Sequence, residues 1–219
     1  MSIMHFEKIT REQWVKDMVN LYHLESPTEE NFKEINKLYD GIKLPKRATK
    51  YSAGYDFYVS GDVLLPVGDS AIILTGIRWV CDKEEDKNKV LQIYPRSGIG
   101  FRTGVRLMNT VGIIDADYWE GNNEGHIMVK LYNPMSSYSN STGHLQIKDG
   151  EAIVQGVITE YHTCDNEEEI VEKRTGGMGS TDKKKKKKIG VELPLFYYYD
   201  VDTSYDIRKL AIDISAYNG

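Results

Sequence analysis

Apolar residues recur at helical spacing near the N-terminus. Trp14, Val15, Met18, Val19 and Tyr22 form one stripe, and Phe32, Ile35, Leu38 and Tyr39 a second. Thr10 and Gln13 have capping-box spacing ahead of the first stripe. Ser26, Pro27 and Glu29 repeat the signal ahead of the second, with proline at the first helical position. Residues 1–42 therefore read as a helical pair whose stripes are packing surface. From residue 43 to 163 the texture changes to short β-rich runs: Asp56–Val59, Ala71–Val80, Val90–Tyr94, Ile127–Tyr132 and Ala152–Ile158. Ile127, Val129 and Leu131 alternate as a half-buried strand does, and Lys148-Asp149-Gly150 suits a turn. Short strands at this density predict a sandwich or barrel.

Residues 164–190 are polar and glycine-rich and run into six lysines, Lys183 to Lys188. Like charges in a row repel, which predicts a mobile, solvated arm. Residues 191–219 regain order signals. Val191 to Tyr199 is aromatic and strand-like, while Ile207, Leu210, Ala211 and Ile214 fit a helical face, though Leu210 to Tyr217 also tolerates a strand reading. The chain thus divides into an N-terminal helical extension (1–42), a β domain (43–163), an arm (164–190) and a C-terminal extension (191–219). The last segment is expected to dock on the body and tether the arm, or else to dock and leave the arm free, serving stability or an unknown partner.

Composition narrows the classes. With 40% hydrophobic and 28% charged residues in 219, the chain can bury a core. A net charge of −5 argues against nucleic acid as a partner. The two cysteines, Cys81 and Cys164, imply no disulfide framework and suit a reducing cytosol. No signal-peptide pattern and no apolar run long enough for a membrane span are visible.

Five short segments carry chemistry. In order they are Ala53-Gly54-Tyr55-Asp56, Pro95-Arg96-Ser97-Gly98, the stretch from Asn109 to Tyr118, Gly150 to Gln155, and Gly176 to Thr181. Taken singly, the first reads as a strand start, the second as a turn, and Gln155 as a satisfied polar group. Their joint content is coherent. Arg96 offers a bidentate fork for phosphate oxygens, and Gly98 permits close backbone approach beside Ser97. Asp115 follows the apolar Val111-Gly112-Ile113-Ile114, where a positioned carboxylate can take a proton from water. Gly176 to Thr181 is donor-rich and suited to wrapping a polyphosphate, although it lacks the Walker A spacing.

In this order the five segments resemble the five motifs of the trimeric dUTPase family, from about residue 43 to 181. The first motif corresponds to the stretch from Lys43 through Phe57. The stretch Tyr118 to Ile127 (YWEGNNEGHI) resembles the longer third motif of some bacterial and phage members. The resemblance implies a mainly-β, jelly-roll-like subunit of a homotrimer with active sites at subunit boundaries. It implies hydrolysis of dUTP to dUMP and pyrophosphate, with Mg2+ held chiefly by the triphosphate and water.

The resemblance also implies roles. Asp115 activates the attacking water, with neighbouring Asp117 the rival on sequence alone. Tyr118 packs on deoxyribose. Asn109 and the backbone through Gly112 read uracil, within a hairpin that motif three forms. Arg96, Ser97 and Gly98 hold phosphates with Gln155 nearby, and Asp56 supports them. The fifth motif arrives from another subunit and places Gly177, Met178, Gly179 and Ser180 over the nucleotide. Met178 occupies the position of the family's stacking phenylalanine. Lys173 stands at the family's usual arginine distance, but Arg174, one residue closer, is preferred for the γ-phosphate because its fork suits phosphate. Two other readings stand beside this one. One is a protein-binding role on the same scaffold; the other is a dCTP deaminase-like enzyme, against which the Gly112 to Asp115 segment argues.

Overall fold

A computed structural model describes residues 4–134, 144–168, 174 and 176. In chain order these form β1 (Met4–Lys8), α1 (Arg11–Leu21), α2 (Glu29–Gly41), β2 (Lys46–Arg47), β3 (Tyr55–Tyr58), β4 (Val63–Leu65), β5 (Ser70–Leu74), β6 (Ile77–Cys81), β7 (Lys89–Pro95), α3 (Ser97–Thr103), β8 (Arg106–Leu107), β9 (Gly112–Asp115), β10 (Met128–Tyr132), β11 (Leu145–Ile147) and β12 (Ala152–Glu160). The fold is mainly β, and its strand pairs are antiparallel. The largest sheet has the order β2-β3-β12-β7-β9. A second joins β5, β10 and β8, and two-stranded pairs join β1 to β6 and β4 to β11. Phe57, Leu91, Ile93, Val129, Leu131 and Val154 fill one core between them.

The N-terminal extension enters that core. Thr10 caps α1 by accepting the Gln13 N–H at 3.2 Å, which turns Trp14 and Met18 inward, where both are fully buried. Trp14 Nε1 donates to the Ile35 carbonyl of α2 at 2.9 Å. The second helix starts later than the Ser26-Pro27 signal predicts. Thr28 accepts the Asn31 N–H at 3.2 Å while Asn31 Oδ1 accepts the Thr28 N–H at 2.9 Å. This reciprocal cap satisfies two helix-end donors at once, which a serine two residues earlier does not. Strand β1, which no pattern signalled, ties the extension to β6.

The run Ala71–Val80 reads as one strand but bends at Thr75-Gly76. There Gly76 takes φ +68, and a Cβ on it would lie 2.2 Å from Ile42. The Arg96-Ser97-Gly98 segment is a helix start rather than a bare turn: Arg96 is the residue before α3. The lysine run, residues 191–219 and their expected docking lie outside the described residues.

One surface clasp carries a pH prediction. The Asp62 carboxylate accepts the Asp149 N–H at 2.9 Å and Lys148 Nζ at 3.0 Å. The Asp149 N–H first, and then Lys148, hold its pKa below the ordinary aspartate value. A depressed carboxylate contributes stability above its unfolded pKa and loses it as pH falls through the folded one. Asp62→Asn is therefore expected to lower stability slightly at neutral pH, by less than about 1 kcal/mol because solvent screens the site, read as a small drop in the thermal midpoint. The difference from wild type should close as pH drops below the usual carboxylate range. A gap that persists there would show that the charge is not what matters.

Candidate active site

The sequence-predicted residues gather at two places, and β7 runs between them. At its C-terminal end lie Asp56, Arg96 and Gln155. Strand β12 sits between β3 and β7, with Gln155 opposite Asp56 on one side and Tyr94 on the other. Arg96 leaves β7 just beyond Pro95, and its Nε lies 2.9 Å from Asp56 Oδ1. Asp56 is mostly buried, whereas Arg96 keeps a large exposed face. Gln155 Nε2 donates to the Pro95 carbonyl at 3.3 Å. Gly54 packs so close to Gln155 that a Cβ there would meet its Oε1 at 2.5 Å. Three separate segments thus meet at this end of β7, where the Arg96 guanidinium is aimed by the Asp56 carboxylate and partly open to solvent. Ser97 and Gly98 open α3 beside it, with nothing within 4 Å of a Cβ built on Gly98.

The other end holds the carboxylates. Strand β9 pairs with β7 so that Gly112 faces Ile93 and Asp115 faces Val90. Along β9, Ile114 is buried while Ile113 and Asp115 are exposed, as strand alternation requires. Before β9, Asn109 is exposed at a tight turn in which Thr110 N donates to the Leu107 carbonyl at 3.2 Å. After β9, Asp117 leads into a short 3-10 turn that buries Tyr118.

Arg174 lies over this end. Its Nε is 2.8 Å from Asp117 Oδ1, its Nη2 pairs with Asp115 Oδ2, and its guanidinium stands 5.5 Å above the Tyr118 ring. Partial burial pulls its pKa down, but the Asp117 and Asp115 carboxylates outweigh that, and the net shift is upward. Gly176 is buried against the same loop: its carbonyl lies 3.3 Å from where a Cβ on Gly121 would be. Lys173, Gly177, Met178, Gly179 and Ser180 fall outside the described residues.

The two ends do not meet within one chain. Val90, opposite Asp115, lies near the start of β7, and Arg96 lies just past its end, six residues further on, a span of roughly 20 Å in extended chain. Arg174 sits with the carboxylates and not with Arg96, Ser97 and Gly98. Residue patterns missed Ile113, an exposed apolar side chain on the same face as Asp115, and the pairing of Asp117 with Arg174. An apolar residue flanked by strand signals gives no hint of which face it takes. Among the described residues no cluster of three or more His, Cys, Asp or Glu side chains could hold a metal, and no helix is long and apolar enough to cross a membrane.

A family model described as dUTPase matches residues 40–182. The deoxyuridine 5'-triphosphate nucleotidohydrolase of Lactococcus lactis is 37% identical over 143 residues, covering 64% of this chain and 89% of that one. The enzyme of that name from Nautilia profundicola is 35% identical over 154 residues, 68% of this chain and 98% of that one. The crystal structure of dUTPase from Streptococcus mutans superposes with a TM-score of 0.51 at 28% identity, covering 74% of this chain and 99% of that chain.

Proposed function

This chain belongs to the dUTPase family, and on that premise we propose that it hydrolyses dUTP to dUMP and pyrophosphate in sites shared between the subunits of a homotrimer. The observation that carries the shared site is a separation: the phosphate-type end and the carboxylate end lie at opposite ends of β7. Closed cyclic symmetry brings one end of a subunit to the other end of its neighbour.

In this reading Asp115 orients a water and accepts its proton as the water attacks the α-phosphorus in line. Asn109 and the backbone to Gly112 read uracil. Gly112 and Asp115 stand three residues apart on β9, about 10 Å, a span suited to a nucleoside between base recognition and the reacting phosphorus. Ile113 offers an apolar floor between the two. Tyr118, buried with Arg174 over its ring in the free chain, packs on the deoxyribose once Arg174 has moved to the phosphate, and there leaves no room for a 2′-hydroxyl. Across the boundary Arg96, Ser97 and Gly98 grip phosphate oxygens, and Asp56 holds the Arg96 fork in place. Arg174 has two alternatives, the Asp115–Asp117 pair or the γ-phosphate. Transfer to the phosphate would free Asp115 as the nucleotide seats. Gly177, Met178, Gly179 and Ser180 complete the cover.

Mg2+ fits this site as a substrate-borne ion. The carboxylates at hand are each engaged with arginine, and the donor set is that of a phosphate clamp rather than a metal cage. Bound with the triphosphate, Mg2+ would neutralise charge on its oxygens. The arm (164–190) and C-terminal extension (191–219) are proposed as cover and tether respectively.

Purified full-length protein supplied with Mg2+ is expected to release pyrophosphate from dUTP. Specificity should favour dUTP over dCTP, dTTP and UTP by ~10²-fold or more, since a polar recognition site leaves buried groups unpaired with the wrong partner. Comparable rates on any of the three would refute the corresponding recognition element.

A further inference from the structure

The N-terminal extension grips the active-site loop at two points. The first is a buried pair. His126 is fully buried, and its Nε2 accepts the Gly76 N–H at 2.9 Å. A backbone N–H can only donate, so Nδ1 carries the ring proton and gives it to Asp17 Oδ2 of α1 at 2.7 Å. Gln13 Nε2 secures the other Asp17 oxygen at 2.9 Å. The second grip is at the start of the same helix. Glu124 accepts the Thr10 N–H at 2.8 Å and the Thr10 hydroxyl at 2.6 Å.

Both grips act on the loop from Tyr118 to His126. That loop folds back on itself: a Cβ on Gly125 would lie 2.4 Å from Trp119 Cα. Glu124 holds φ +56, a backbone region that residues with side chains seldom adopt, and its carboxylate is the group tied to Thr10. Inside the loop, the Tyr118 hydroxyl reaches the His126 carbonyl and Asn123 Nδ2 reaches the hydroxyl, each at 3.4 Å. His126 is therefore tied to the extension through its side chain and to the Tyr118 hydroxyl through its main-chain carbonyl. The same loop seats Arg174 and Gly176.

We infer that the N-terminal extension is a positioning element for catalysis: the Asp17–His126 and Thr10–Glu124 grips hold the Tyr118–His126 loop in the shape that presents Tyr118 to the sugar. The inference rests on the reading of Tyr118 as the deoxyribose contact. Asp17, His126 and Glu124 are positioning residues; none need touch the nucleotide. The Asp17–His126 bond is desolvated, so an alternative loop geometry would strand buried polar groups; the Thr10–Glu124 grip is exposed and adds a second, weaker restraint. The longer third motif and the helical extension form one unit in which each supplies the other's missing partners.

The test uses full-length Asp17→Ala, Asp17→Asn, Glu124→Ala and, as a stability control, Ile147→Val in the separate β4–β11 pair. The readouts are the dUTP-to-UTP ratio of kcat/KM, amide hydrogen exchange across residues 118–126, and the thermal midpoint. Asp17→Ala and Glu124→Ala are expected to lower the ratio by roughly tenfold to a hundredfold, the scale of a small misplacement at a reacting site, and to speed loop exchange. Asp17→Asn keeps an acceptor for His126 and should restore most of both. Ile147→Val should shift only the midpoint. A wild-type ratio and wild-type exchange in Asp17→Ala and Glu124→Ala would overturn the inference, as would the same loss of discrimination in Ile147→Val. Should the wild type fail to hydrolyse dUTP, the functional reading falls and loop exchange alone decides the grip: unchanged protection in Asp17→Ala refutes it.

Discussion

Asp115→Asn is expected to cut dUTP turnover by ~10²–10⁴-fold, the usual contribution of a positioned general base, while nucleotide binding persists. The amide has nearly the shape of the carboxylate, so the strand and its exposed face are unchanged, but it cannot take a proton from water. The ion pair with Arg174 sharpens the expectation. Removing one carboxylate loosens the hold on a guanidinium whose other destination is phosphate, so affinity for a non-hydrolysable dUTP analogue should hold or rise. Asp117→Asn is the companion variant. Asp117 also pairs with Arg174 but lies beyond the end of β9. It should keep turnover within about tenfold of wild type, as expected where an arginine contact and not the base is altered. Single-turnover kinetics alongside equilibrium binding separate the two. If Asp117→Asn proves the inactive one and Asp115→Asn retains near-normal turnover, the base has been assigned to the wrong carboxylate.

The candidate site is named in the sequence by the resemblance of its ordered segments to a family, and the local chemistry of those segments agrees with it for a physical reason. Phosphate recognition needs an arginine beside small residues, and water activation needs a carboxylate at a strand end. Arg96-Ser97-Gly98 and Ile113-Ile114-Asp115 are short local statements of those needs. Strand positions are legible wherever alternation is local, as in Ile127 to Leu131. Three features are not legible, because they depend on pairing between distant segments. The register that sets Asp115 against Val90 and Gly112 against Ile93 decides that the two ends of the site are far apart, and no residue along β9 announces it. The Asp17–His126 bond joins residues 109 apart in the chain. Each alone reads as an ordinary polar residue among apolar ones. Strand β1 has mixed polar and apolar positions, and becomes a strand only because β6 offers it an edge. The start of α2 shows local competition instead: Ser26 and Thr28 both suit a cap, and the reciprocal bond from Asn31 decides for Thr28.

Mixed oligomers of two inactive variants are expected to regain activity. Arg96→Ala removes the phosphate fork at one end of β7, and Asp115→Asn removes the base at the other. Each variant alone should fall by ~10²-fold or more, since each strips an electrostatic or acid–base element from every site. Their lesions do not lie in the same place, however. If a site draws Arg96 from one subunit and Asp115 from its neighbour, an Asp115→Asn subunit supplies an intact Arg96 end. An Arg96→Ala subunit supplies an intact Asp115 end. In a cyclic trimer that contains both variants, about one boundary in three is then fully wild type. Co-expression with different affinity tags, tandem purification and light scattering would deliver a defined mixed species, expected to have the mass of a trimer. Its turnover should stand at about a third of wild type, following that boundary count and far above either parent. Simple mixing of pre-formed homo-oligomers should give nothing. The geometry leaves little latitude here. Six residues of extended chain separate the two ends, and closing that gap within one chain would require β7 to unpair from both β12 and β9. A mixed oligomer of confirmed composition with no recovered activity would mean that Arg96 and Asp115 do not serve one site across a boundary.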